Sequence, residues 1–153
     1  TEGLVLEFPD QLKFYEFAIS LANELDNPEL SAYYSLRLFR ISPDFNLAKM
    51  LFIHYLKKDE PGKALPFINF AISNNSSAVN FEPMRDAVME IIGLQQQFKA
   101  DSLNVNTSNQ IADRYFLLGN YGAASKYIEK TLKLQPSNKE ARFLKSKIDK
   151  TRI

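Results

Sequence analysis

Residues 105–138 read VNTSNQIADRYFLLGNYGAASKYIEKTLKLQPSN, and the spacing of a few side chains in this stretch decides the fold. Ile111, Ala112 and Tyr115 recur at helical intervals and Gly119 interrupts them. Tyr121, Ala124, Tyr127, Ile128, Thr131 and Leu132 then resume the period until Pro136 closes it. This predicts two helices of about a dozen residues joined by a tight, glycine-containing turn. Ala112 and Ala124 fall where the helices of such a hairpin cross. A short side chain there lets the backbones approach while Tyr115, Tyr121 and Ile128 fill the space around them.

The pattern recurs upstream in weaker form. In residues 45–78, Leu51, Tyr55, Ala64, Ile68, Ala71 and Ile72 surround the turn Lys58-Asp59-Glu60-Pro61-Gly62, although Phe52 fills the small slot and no proline closes the unit. In residues 12–45 the order is Tyr15, Ala18, Ala22, Ser31, Tyr34, Leu38, Phe39 and Pro43 around Asp26-Asn27-Pro28, with Ser35 where a large apolar residue is expected. Ser31 and Ala64 are 33 residues apart, whereas Ala64 and Ala124 are 60 apart. The second interval therefore holds roughly 26 residues beyond one repeat. Within residues 79–104, Met84, Ala87, Val88, Ile91, Ile92, Leu94 and Phe98 follow Glu82-Pro83 and predict one inserted helix, its stripe interrupted at Gly93 and Gln95. An odd helix in an alternating stack must either break it or splay the neighbouring hairpins, and the sequence leaves both open. Asn74 to Ser77 and Ala100 to Asn109 read as polar loops on either side.

Residues 105–138 resemble a tetratricopeptide (TPR) repeat, a helix-turn-helix unit of about 34 residues. Ala112, Tyr115, Gly119, Tyr121, Ala124 and Pro136 match its pattern, while Ser108, Ile128 and Thr131 depart from it. The resemblance implies an all-α, TPR-like helical-hairpin solenoid. It has repeats at 12–45, 45–78 and 105–138, the inserted helix in 79–104, and a capping helix at 139–153. It also implies that a peptide or protein segment binds in the groove lined by the first helix of each hairpin. The residues expected there are Glu16, Phe17, Ser20 and Asn23, then Lys49, Met50, Ile53 and Lys57, then Asn109, Gln110, Asp113 and Phe116. Family members that hold a chaperone's C-terminal carboxylate use lysine and asparagine at positions that here carry Glu16, Ser20, Met50, Asn106 and Gln110. A ligand lacking that terminal carboxylate is the expectation.

Composition agrees with one globular domain: 153 residues, 45% apolar, five glycines, and no alternating apolar run beyond Gly3 to Phe8. The capping helix is expected to start at a Ser137/Glu140 capping box and to bury Ala141, Leu144 and Ile148, with lysines and arginines outside. Net charge is +1 but uneven. Residues 1–44 carry three Lys/Arg against eight Asp/Glu, and residues 105–153 carry ten against four. A basic end would attract an acidic partner, whereas a solvated cap explains the same lysines without nucleic acid. No paired base-reading side chains recur from unit to unit, so nucleic acid is not an expected ligand.

The first nine residues, including Leu4-Val5-Leu6-Glu7-Phe8-Pro9, read as an extended lead-in. Thr1 stands where a complete translation product carries Met. An excerpt of a longer protein, with an upstream domain in the same polypeptide, is favoured over a removed secretory leader. The second functional reading follows from this: an accessory helical domain of a larger enzyme or secreted assembly. No apolar run is long enough to span a membrane. The absence of cysteine excludes disulfides and thiolate metal sites, and fits cytoplasm and periplasm alike.

Catalytic constellations are sparse. His54 is the single histidine and reads as a half-buried, hydrogen-bonded side chain. The glycines form no phosphate-binding loop, and Asp59-Glu60 reads as a solvated turn. No enzyme activity, metal or cofactor is expected.

Overall fold

Short polar side chains set the helix starts. The computed structural model describes residues 9–75 and 77–152, and among these no strand occurs. Eight helices follow one another there: α1 (Pro9–Glu24), α2 (Pro28–Ile41), α3 (Phe45–Lys57), α4 (Pro61–Ser73), α5 (Glu82–Ala100), α6 (Val105–Leu117), α7 (Tyr121–Leu134) and α8 (Lys139–Thr151). The side chains of Asn27, Asp44, Asn104, Asn120 and Asn138 each accept from the amide three residues on, satisfying a donor that the helix leaves unpaired. The last of these corrects the expected capping box at Ser137. Asn138 caps α8, and Glu140 accepts from Asn109 instead. The lead-in expected over residues 1–9 lies outside the described residues, except that Pro9 begins α1.

The three hairpin turns share one construction that the side chains conceal. Asp26, Asp59 and Gly119 have φ of 49°, 59° and 74°, and each sits just past the end of a hairpin's first helix. In every case the amide of that residue donates three residues back and the next amide donates five back. The pairs are Asp26 to Asn23 and Asn27 to Ala22, Asp59 to Leu56 and Glu60 to Tyr55, Gly119 to Phe116 and Asn120 to Tyr115. This is the double closure of a helix end that a left-handed residue permits. Asp26 and Asp59 are 33 apart, Asp59 and Gly119 are 60 apart, and so the turns keep the intervals of the small residues. Aspartate serves twice because its short side chain tolerates the left-handed region better than most.

The hairpins α1–α2, α3–α4 and α6–α7 stack in chain order, and α8 packs on both α7 and α6. One buried cluster runs from Ala32 to Ile148, with Ala48, Ala64, Ala112 and Ala124 at its helix contacts. Hairpin one joins it through α2. Phe39 lies edge-on to Phe67 and Phe70 at 5.2 and 4.9 Å, and Lys58 Nζ meets Glu29 Oε2 at 2.9 Å.

The inserted helix does not break the stack. α5 packs against α4 on one side and α6 on the other, burying Val88 and Ile91 completely. It runs through Gly93 and Gln95 without interruption. The loop expected over Ala100 to Asn109 is correspondingly short, since α5 ends at Ala100 and α6 begins at Val105. At the far side α3 touches α7, where Asn120 Nδ2 donates to Leu56 O at 2.6 Å. Hairpins two and three therefore splay around α5 while their turn ends meet.

Candidate functional site

A polar cluster occupies the place where those turn ends meet. Tyr115 Oη donates to Asp59 Oδ1, Tyr127 Oη donates to Asp59 Oδ2 at 2.9 Å, and Gln95 Nε2 donates to Asp59 Oδ1 at 2.7 Å and to Tyr127 Oη at 3.1 Å. Asp59, expected to be a solvated turn residue, thus receives donors from α5, α6 and α7. Burial, reinforced by the Asp59 carboxylate, raises both phenols well above their ordinary range. Such tyrosines hold their protons, and the cluster is a structural joint between hairpins.

The first groove lies between α6 and α8 and encloses about 320 Å³. Asn109, Gln110 and Asp113 come together here, as the sequence suggests. They face Phe143, Leu144 and Lys147 of α8 across a floor that includes Ala112 and Ile128. Asn109 differs from the expectation of a groove-facing, ligand-ready amide. Its side chain is buried, and Nδ2 donates to Asn138 Oδ1 and Glu140 Oε2, both at 3.0 Å, which ties α6 to the start of α8. Phe116, expected with them, does not line the groove; its ring lies 5.8 Å from Lys147 Nζ, while the same ammonium sits 4.5 Å from the Phe143 ring. Asp113 is held by Arg114 at 3.0 Å, and Arg114 reaches on to Glu90 of α5.

A second groove of about 300 Å³ between hairpins one and two brings Glu16 together with Met50, beside Ile19, Leu38 and Leu47. Lys49, Ile53 and Lys57 are exposed along α3 and line neither groove. Ser20 and Asn23 are exposed on α1. Phe17 is exposed too, but it stands about 100° around the helix from Glu16, on a different face. The α8 wall is not among the residues that the sequence suggests, because a lysine-rich terminal helix with one apolar stripe reads as a solvated cap. Phe143, a large ring off the Ala141/Leu144/Ile148 stripe, was the available signal. His54 lies in α3 with Nε2 3.9 Å from Glu29 Oε2, and desolvation outweighs that carboxylate and lowers its pKa.

No family model matches this chain, and no curated protein matches it. Its fold and grooves define an all-α solenoid of stacked helical hairpins. Among the described residues no helix is long and apolar enough to cross a membrane.

Proposed function

We propose that this protein is a non-catalytic, TPR-like scaffold that holds a peptide or protein segment in the groove between α6 and α8. The observation that carries this reading is the mixed lining of that groove. Apolar surface from Ile128, Leu144 and Phe143 lies beside charged Asp113 and Lys147, and recognition of a polypeptide needs both an apolar floor and a few polar groups that set direction. Asn109 and the Arg114 ion pairs fix the walls before any ligand arrives, which lowers the ordering cost of binding. The ligand is an extended or helical segment, with Asp113 and Lys147 fixing its polarity.

Selection of a displayed random-peptide library on the immobilised protein tests this. The expected result is a family of enriched peptides whose binding falls at least tenfold with Lys147→Glu and with Phe143→Ser. Both side chains are exposed, so helicity should be unchanged. An absence of enrichment, or peptides indifferent to both substitutions, refutes the reading.

A further inference from the structure

We propose that α1 is a homodimerisation face, the partner being a second copy of this chain packed antiparallel against it. Three large apolar side chains on α1 and a fourth on the residue just past its end, whose amide still donates to Leu21 O, form one stripe: Phe14 is 55% exposed, Phe17 67%, Leu21 44% and Leu25 66%. At about 100° per residue they fall within about 80° of helix arc, and the stripe runs about 17 Å along the axis. Isolated exposed apolar residues are ordinary, but four in register along one helix and the turn that ends it are an interaction surface.

Two features set this helix apart. Among the described residues no α1 side chain joins the central buried cluster, which begins at Ala32 of α2. The buried residues of α1 are the small Ala18 and Ala22; Leu12, Tyr15 and Ile19 are half-buried, and Phe14, Phe17 and Leu21 face outward. The surface also extends over the hairpin: Phe14 of α1 and Tyr33 of α2 both stand edge-on to Tyr34, at 6.1 and 5.2 Å.

The order of residues along the stripe selects the occupant. Phenylalanines occupy its N-terminal half and leucines its C-terminal half. Exposed Lys13 and Glu24 flank it on one side at opposite ends, about 20° to 40° beyond Phe17. A two-fold axis near Ile19 sets Phe17 against Leu21 of the second copy and Phe14 near its Leu25, and brings Lys13 beside its Glu24, twice over. A parallel two-fold pairing would place the two copies of this flank on opposite edges of the contact, so that Lys13 and Glu24 would meet no opposite charge from each other's flank. The surface is thus self-complementary in the isologous, antiparallel sense. The acidic excess of residues 1–44, three Lys/Arg against eight Asp/Glu, opposes the approach of two copies, and the contact is small. Weak, concentration-dependent association is the expectation.

The test is sedimentation equilibrium of the chain across the micromolar range, with helicity followed by circular dichroism. The expected result is a concentration-dependent shift from 17.5 kDa to twice that mass. Phe17→Glu should abolish the shift and leave helicity intact, since that ring is exposed. Lys13→Glu alone and Glu24→Lys alone should each weaken association about tenfold, because each turns two attractive contacts into repulsive ones. The double exchange should restore it to within about threefold. A monomer at every concentration overturns the proposal and leaves the stripe to a partner of another sequence. A double exchange weaker than either single change overturns it as well, because the antiparallel register demands rescue.

Discussion

Replacing Asp59 with alanine should uncouple hairpin two from hairpin three. The carboxylate accepts from Tyr115, Tyr127 and Gln95, and its two tyrosine partners are 0% and 4% exposed. A buried donor that loses its acceptor costs about 1 to 3 kcal/mol. Water can enter the half-exposed space that Asp59 vacates, so about 3 kcal/mol is the working figure for the cluster. Alanine at φ 59° adds up to about 1 kcal/mol of backbone strain. Asp59→Gly removes the same hydrogen bonds without that strain, and Asp59→Asn keeps one acceptor and the tolerance for the left-handed region. Stability should therefore fall in the order wild type, Asn, Gly, Ala, with a loss of about 3 to 4 kcal/mol for alanine, or about 10 °C in Tm for a chain of this length. Urea unfolding followed by circular dichroism measures it, and near-ultraviolet tyrosine signals report whether the joint itself has opened. An alanine variant within about 1 kcal/mol of wild type refutes the assignment. Glycine as stable as wild type assigns the loss to strain and not to hydrogen bonding.

The same cluster makes the fold sensitive to alkali. Burial first, then Asp59, raises the Tyr115 and Tyr127 phenols above their ordinary value of 10.0, so the unfolded chain releases these protons before the folded one does. Their contribution is complete below pH 10 and is lost as pH rises beyond it. The double variant Tyr115→Phe/Tyr127→Phe should flatten the fall in Tm above pH 10, and an unchanged slope contradicts this. Thr131 is fully buried with a hydroxyl that finds no partner, so Thr131→Val should leave stability unchanged or raise it by up to about 1 kcal/mol. A loss above about 1 kcal/mol in urea unfolding would mean that the hydroxyl is bonded. Amide hydrogen exchange should be faster in α1 than in α6 and α7, because α1 adds no side chain to the central cluster, and its protection should rise with protein concentration as copies associate. Equal protection in the three helices refutes the first part, and concentration-independent exchange in α1 the second.

The hairpins were legible because their determinants are local. Small residues at crossings, tyrosines beside them and a proline after the second helix act within a dozen positions, and residues 105–138 contain all three. The shared turn was hidden because two aspartates and a glycine perform one conformational task, and a side-chain pattern does not display φ. The Asp59 joint was hidden for a different reason. Its tyrosine partners lie 56 and 68 residues away, and only the placement of α5 brings them together. The groove was half legible. Asn109, Gln110 and Asp113 share one face by helical spacing, but the opposing wall depends on how α8 docks. Phe17 illustrates the limit of assigning groove faces by analogy between hairpins, since it stands on the α1 stripe and not beside Glu16 and Met50.

Inserting one helix into a stack of pairs creates a seam that hydrophobic contact alone would leave loosely specified. Apolar packing is non-directional: Val88 and Ile91 bury α5 but would tolerate small rotations about its axis or slides along it. Hydrogen bonds are directional, and Gln95 must face Asp59 and Tyr127 together to make both of its contacts. The polar cluster therefore selects one setting of α5 between its neighbours. Arg114 bridging to Glu90 adds a second pin between α5 and α6. Because α6 forms one wall of the larger groove and Asn109 fastens α8 to it, the rotation of α5 is transmitted to the groove as a fixed angle relative to hairpin two. The departure from a regular repeat is thus what orients the α6–α8 groove relative to hairpin two.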